Sequence, residues 1–227
     1  MLKISKPLAL IPYVFAAAML FIYFAAEIIP NLFLTTTGRL VLLCGGCFFL
    51  WLGGVFLTKA TGDNRPMKIN LRIFLALYLL LFATLTLFDP LWGRNGGIVI
   101  WTKELFDSYV KNSLNLVPFK TITLFFKNGT LSQFFVNIIG NIVCLMPLGI
   151  LLPLNFKKQE KTSVFLLTCV LIVAGVEILQ FIILSGSCDI DDLILNVGGA
   201  FLIYLFTKNK EAFGFLKHIF LLEKGEI

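Results

Sequence analysis

Six long runs of apolar residues divide this chain, and they constrain its fold more than any other feature. The runs cover residues 8–29, 40–57, 69–88, 134–154, 164–184 and 192–206. Most of them approach the roughly 20 residues that a helix needs to cross a bilayer, and they are apolar on every side. The sequence therefore predicts an all-α fold, a polytopic bundle of about six transmembrane helices.

The composition supports a membrane protein and excludes a large soluble domain. Of the 227 residues, 58% are hydrophobic and 14% are charged, whereas soluble domains carry roughly 25% charged residues. The formal net charge is +6, which the lysines and arginines of cytoplasmic loops explain without a nucleic-acid partner. We therefore expect membrane lipid as a partner and no nucleic acid.

The placement of lysine and arginine predicts the orientation. If the N-terminus is cytoplasmic, the segments on the inner side hold most of the cations, and the short outer loops hold only Arg39. The long outer loop holds five, but long loops count less in this rule. We therefore expect both termini to be cytoplasmic (N-in/C-in).

Two further segments have amphipathic patterns. Residues 101–114 place Trp101 and Tyr109 on one helical side and charged residues elsewhere, which predicts a helix on the outer membrane face. Residues 213–220 carry an apolar stripe among lysines, which predicts a tail helix on the inner leaflet, attracted by anionic lipid.

Acidic and amide side chains lie inside or beside the last three runs. They are Asn137, Asn141, Glu177, Gln180, Asp189, Asp191, Asp192 and Asn196. Ionisable residues within a span are costly, so their presence is by default a functional hypothesis. In the predicted orientation all eight lie towards the outer side, where we expect one polar cluster. The candidates for catalysis are Glu177, Asp189 and Asp192.

Helix capping is the alternative explanation for the acidic stretch. Asp189 is a good N-cap, and Asp191 and Asp192 would complement the positive end of the last helix dipole. Capping explains neither Asn196, one turn further along, nor Glu177 on the preceding helix.

An interhelical network that only fixes the packing is the alternative for Glu177 and Gln180. They are three residues apart and share a helix face. The predicted partners are Asn137 and Asn141. Gly140 between these asparagines would allow a close helix approach, and Pro147 would kink the same span.

Oxygen-rich clusters of this kind could hold Mg²⁺ or Ca²⁺. The D-x-D-D spacing of residues 189–192 is weak evidence, so we assign no metal site. The sequence places no Ser–His or Cys–His pair near the cluster, which disfavours a hydrolase of triad type.

Four short motifs occur in a fixed order: NLVPF at 115–119, NIIGN followed by PLGILLP within 137–153, EILQ at 177–180, and DIDDLILNVGG at 189–199. In these motifs the chain resembles the VanZ family of bacterial membrane proteins. The resemblance divides the chain into two additional N-terminal helices (1–68), a VanZ-like domain (69–207) and a cytoplasmic amphipathic tail (208–227).

The resemblance implies a multi-pass protein of the bacterial cytoplasmic membrane. A named member of the family confers low-level resistance to the lipoglycopeptide teicoplanin. The motif positions are Asn137, Gly140, Asn141, Pro147, Gly149, Glu177, Gln180, Asp189, Asp192, Asn196 and Gly199. Many members carry an arginine just before the D-I-D-D stretch, but residues 185–188 here contain no cation. Phosphate-binding chemistry through such an arginine therefore does not transfer to this chain.

Three classes of function remain open. The first is a VanZ-like protein that lowers susceptibility to teicoplanin-type lipoglycopeptides at the outer face of the membrane. The second is a membrane enzyme that acts on a phospholipid or polyprenyl headgroup through Glu177 and Asp192. The third is a non-catalytic scaffold or binding module. A lipoglycopeptide or a lipid-linked envelope precursor would be the partner beyond membrane lipid.

Overall fold

The computed structural model describes residues 5–29, 34–87 and 101–222. Its long helices are α1 (Lys6–Ile28), α2 (Thr36–Thr61), α3 (Arg65–Leu87), α9 (Thr162–Ile183) and α10 (Ile190–Lys208). Its shorter helices are α4 (Lys103–Ser113), α5 (Lys120–Asn128), α6 (Leu131–Phe134), α7 (Gly140–Cys144), α8 (Leu148–Asn155) and α11 (Lys210–Ile219). Two strands, β1 (Leu114–Asn115) and β2 (Cys188–Asp189), pair in parallel.

Six spans in the described part of the chain are long and apolar enough to cross a membrane. They are Lys6–Ala26, Thr37–Thr61, Arg65–Leu87, Leu131–Asn155, Thr162–Ile183 and Ile190–Lys208. This confirms the predicted all-α polytopic bundle. The orientation of the termini and the three-part division of the chain stay predictions.

The chain forms two compact units. The first contains Met1–Phe74 and Gly214–Ile227, within which the described parts include α1 and α2. Glycines of α2 make room for α1, because a Cβ at Gly45 would lie 2.3 Å from Cε of Met19. The buried Asn70 side chain donates to the Leu50 carbonyl at 2.6 Å, which adds a polar contact to this packing.

The second unit, Leu75–Phe213, contains the polar motifs. Its core is Leu75, Phe82, Leu145, Leu148, Leu152, Phe165, Cys169, Val173, Ala200 and Tyr204. The Phe165 and Tyr204 rings stack at 4.1 Å between centroids. Side chains of α3, α8, α9 and α10, together with Leu145, form this apolar core. The polar side chains lie at the end of the unit where α10 begins.

The fourth span is interrupted at Leu145–Pro147, between α7 and α8. Pro147 has no N–H, so the Val143 carbonyl accepts from Met146 at 3.2 Å instead. The Leu148 N–H bonds the Leu145 carbonyl and not that of Cys144, and the Tyr78 hydroxyl on α3 donates to the Cys144 carbonyl in its place. A π-helical stretch, Phe135–Ile139, precedes α7 and was not predicted.

Two motif glycines allow the interrupted span to contact α10 closely. A Cβ at Gly199 would lie 1.8 Å from the Ile142 carbonyl oxygen, and one at Gly149 would lie 2.6 Å from that of Ala200. Only glycine fits such backbone contacts. Gly140, the third predicted structural glycine, begins α7.

Two helices, α4 and α5, lie in the chain between the third and the fourth span and belong to neither. The predicted outer-face helix is α4, and the Trp101 indole just before it donates to the Ile182 carbonyl at 3.1 Å. Trp101 also stacks on Phe181 of α9. The second helix, α5, was not predicted. The predicted tail helix corresponds to α11.

Candidate functional site

A tight turn connects α9 to α10 and places the acidic stretch. Leu184 adopts the left-handed conformation with φ of 51°, and the Ser185 N–H donates to the Gln180 carbonyl at 3.1 Å. This geometry ends α9 in the way that helix C-caps commonly do. The short strand β2 then runs beside β1, so Asp189 lies opposite Asn115.

Asp189 lies at the centre of the cluster. As the N-cap of α10, its carboxylate accepts the Asp191 N–H at 2.8 Å. The same carboxylate accepts Asn115 Nδ2 at 2.8 Å and Thr121 Oγ1 at 2.5 Å. The Asp189 backbone N–H donates to Glu177 Oε2 at 2.9 Å. The capping prediction for Asp189 is therefore confirmed, and the residue also joins α9, β1 and α5.

Asp191 is fully buried and caps a different helix. Its two carboxylate oxygens accept the backbone N–H groups of Phe119, Thr121 and Ile122 at 2.5, 2.8 and 3.1 Å. These groups form the N-terminus of α5, whose dipole also favours a negative charge. Backbone N–H donors therefore stabilise this buried carboxylate.

Asp192 joins α10 to the fourth span. Asn141 Nδ2 donates to Asp192 Oδ1 at 2.5 Å, and Asn196 Nδ2 donates to Asn141 Oδ1 at 3.3 Å. Asn196 also donates to the Asp192 carbonyl at 2.8 Å, one turn back on its own helix. The three side chains form a polar contact between two apolar helices.

The predicted pairing of Asn137 and Asn141 with Glu177 and Gln180 is wrong. Asn137 donates to the Gln133 carbonyl in its own span, and Gln180 Nε2 donates to the Thr86 carbonyl on α3 at 2.8 Å. The physical reason is register: the π-helical stretch Phe135–Ile139 contains Asn137 and directly precedes α7 with Asn141, so the span does not follow the regular α-helical register that the prediction assumed.

Two amide oxygens at this end of the unit are buried without a hydrogen-bond donor among the described residues. Gln180 Oε1 and Asn196 Oδ1 are buried and accept no hydrogen bond from the described residues. Such groups are costly unless water or a ligand donates to them. Together with the carboxylates, they make this end of the unit rich in acceptors.

Cys188 lies between α9 and α10, and the pKa of its thiol reflects the negative charge of the cluster. Burial raises the pKa of its thiol, and the negative charges of Glu177, Asp189 and Asp192 raise this pKa further. Three carboxylates thus act on one thiol. The site would favour donors and positive groups over phosphate.

The described residues do not fit a metal site. No three His, Cys, Asp or Glu side chains within the described ranges are grouped as ligands. Both oxygens of Asp191 already accept N–H groups, as given above. The Mg²⁺ or Ca²⁺ considered for the D-x-D-D stretch therefore has no support from this geometry.

The structure brings three predicted polar residues into hydrogen-bonded contact with the three aspartates of the D-I-D-D stretch, so six of the eight predicted residues lie in one cluster. They are Asn141, Glu177, Asp189, Asp191, Asp192 and Asn196. Asn137 and Gln180 bond elsewhere. Sequence reasoning missed the roles of Asn115 and Thr121, although one polar residue directly precedes the apolar stretch 116–119 and the other follows it after Lys120, which was the available signal.

Fold and cluster together define a multi-pass membrane protein with an acceptor-rich polar cluster at one end of its second unit. The chain belongs to the VanZ family: the family described as VanZ/LLP1 matches residues 74–211. Protein VanZ of Enterococcus faecium is 35% identical over 135 residues, which cover 60% of this chain and 71% of that protein. No solved structure matches.

Proposed function

We propose that this VanZ-like protein lowers susceptibility to teicoplanin-type lipoglycopeptides at the outer face of the bacterial cytoplasmic membrane. Family membership supports the proposal, since the chain shares 35% identity with Protein VanZ. The orientation predicted from lysine and arginine would put the polar cluster on the outer side, where such antibiotics arrive.

The observation that carries the proposal is the convergence of polar groups at the start of α10. Asn141 of the fourth span bonds Asp192, and Glu177 of the fifth span bonds the N–H of Asp189. These groups are acceptors for the most part. A lipoglycopeptide carries an acyl chain together with sugar hydroxyls and peptide N–H groups, and those donors suit an acceptor-rich site at a membrane surface.

The test compares teicoplanin retained per cell, and the inhibitory concentration, for wild type, Glu177→Gln and an empty vector. The matched control is Glu104→Gln, the same chemical change at an exposed site in the first turn of α4. Wild type and Glu104→Gln should lower retention, and Glu177→Gln, expressed at the same level, should not. Equal retention in all strains would contradict the proposal.

A second candidate is an enzyme that acts on a lipid headgroup. It is favoured by the charges of Glu177 and Asp192, which both act on Cys188 although they come from different spans. Two neighbouring carboxylates are a common acid–base arrangement. Mass spectrometry of envelope lipids from strains with wild type, Asp192→Asn and no protein tests it, and an unchanged lipid profile would argue against it.

A scaffold without ligand or chemistry is the third possibility. In that case Glu177→Gln should lower the amount of folded protein in step with any phenotype. A well-expressed, inactive Glu177→Gln variant would speak against the scaffold and for a direct role of the cluster.

A further inference from the structure

The segment between β1 and α5 exposes an unusual amount of apolar surface. Leu116, Val117 and Phe119 are 67%, 60% and 59% exposed. Phe119 also adopts the left-handed conformation, with φ of 64°, which bulky residues rarely adopt. Strain of this kind persists only where surrounding contacts hold it.

Hydrogen bonds to two aspartates hold this segment near its two ends. Asn115 and Thr121 bond Asp189, and the Phe119 N–H bonds Asp191. The polar ends of the segment are therefore turned into the protein, and its apolar side chains face outward. The exposed surface follows from this architecture.

Helix α5 continues the same surface. Phe126 is 66% exposed and its ring contacts that of Phe134 at 5.1 Å. Phe134 belongs to the fourth span, and its neighbour Phe135 is exposed as a residue of that span. The apolar surface of α5 is thus continuous with a surface that faces lipid in a spanning helix.

The depth of the segment follows from the length of α10. Its 19 residues extend about 28 Å, close to the roughly 30 Å hydrocarbon thickness of a bilayer. The first turn of α10, with Asp191, therefore lies at the border of the hydrocarbon layer. Because Asp191 bonds the N-terminus of α5 directly, α5 and residues 116–119 lie at the same border.

We propose that residues 116–119 and α5 form a membrane-inserted wedge, whose partner is the acyl-chain region of the adjacent leaflet, and that Asp191 anchors the wedge to α10. Lys120 and Lys127 are exposed at the two ends of α5, on the side away from Ile122 and Phe125, and reach the headgroup layer. The proposal does not depend on the resistance phenotype.

The test is spin-label depth measurement on the full chain in phospholipid vesicles, with the five native cysteines replaced. Single labels are placed at Val117, Phe126, Lys127 and Leu171, where Leu171 is an exposed position of α9 that serves as the lipid reference. The ratio of collision with oxygen to collision with a water-soluble nickel chelate should be several-fold higher at Val117 and Phe126 than at Lys127. Equal ratios at these three positions would overturn the wedge.

The anchor is tested with the same label at Phe126 in Asp191→Asn. This change keeps the side-chain volume but turns one acceptor into an N–H donor that faces backbone N–H groups. The label should become more mobile, and its ratio should fall towards the Lys127 value. Glu104→Gln is the control. An unchanged ratio and mobility in a folded Asp191→Asn protein would remove Asp191 from the proposal.

Discussion

Glu177 of α9 accepts the backbone N–H of Asp189 at 2.9 Å, so a carboxylate of one span holds the residue that begins the next. The bond spans the turn between α9 and α10. It fixes the position from which Asp189 reaches Asn115 and Thr121.

Replacing Glu177 separates its packing role from its charge. Glu177→Ala leaves the buried Asp189 N–H without this acceptor and should lower the free energy of unfolding by about 1–3 kcal/mol. Glu177→Gln keeps an acceptor oxygen and should lose less. Thermal unfolding in detergent measures both, and a Gln variant as unstable as the Ala variant would mean that charge, not the hydrogen bond, matters.

Gly199→Ala should destabilise the protein strongly. Its Cβ would lie 1.8 Å from the Ile142 carbonyl oxygen, so backbones must separate, at a cost of about 1–3 kcal/mol or more. Gly198→Ala is the matched control, because a Cβ there meets nothing within 4 Å and alanine favours a helix. Equal unfolding temperatures for the two variants would contradict the described contact.

Thr121→Val removes the hydroxyl that donates to Asp189 at 2.5 Å and keeps the side-chain shape. A hydrogen bond to a charged group contributes about 1.5–3 kcal/mol, so the free energy of unfolding should fall by an amount in that range. Thr123→Val, two residues on and exposed, should leave stability nearly unchanged. A neutral Thr121→Val would mean that Asp189 is held by its other donors alone.

The reactivity of Cys188 should report the charge of the cluster. Its thiol pKa is raised by burial and then by three carboxylates, so alkylation is slow at neutral pH and accelerates as pH rises through that pKa. Glu177→Gln removes one charge, lowers the pKa and should move the rate profile to lower pH. The readout is the maleimide rate against pH in a protein whose only cysteine is Cys188, with Glu104→Gln as the control that should not move it.

The same single-cysteine protein tests the predicted orientation. A membrane-impermeant maleimide added to intact cells should label Cys188. In a second protein, whose only cysteine replaces Lys158 in the short helix Lys157–Glu160, the reagent should not label that cysteine until the membrane is permeabilised. The opposite pattern would place the polar cluster on the cytoplasmic side and would contradict the proposed site of action.

Much of the fold could be predicted, because long apolar runs leave few alternatives to spanning helices. The break at Pro147 follows from the missing N–H, and the N-cap role of Asp189 follows from its position before an apolar run. The π-helical stretch Phe135–Ile139 carries no local signal of that kind. The sequence prediction assumed a regular α-helix there, and for this reason the partners of Asn137 and Asn141 were misassigned.

The role of α5 was also hidden from local patterns. Residues 120–128 form a short helix that would be marginal alone, and its N-terminus is capped by Asp191, which lies about 70 residues further along the chain. Contacts between residues so far apart in the chain produce no periodic pattern in the sequence. Asn115 directly before the apolar residues 116–119, and Thr121 two residues after them, were the local indication.

The interruption of the fourth span also determines where this membrane protein can deform. Around Leu145–Pro147 the N–H groups of Met146, Leu148 and Gly149 bond carbonyls three residues back instead of four. Helices α7 and α8 are therefore two short helices, each too short to span a bilayer alone. The contacts at Gly149 and Gly199 hold both short helices against the unbroken α10, which supports them on either side of the break. Any opening of the bundle should therefore occur as a hinge at Leu145–Pro147, and backbone hydrogen exchange there should precede exchange in α10.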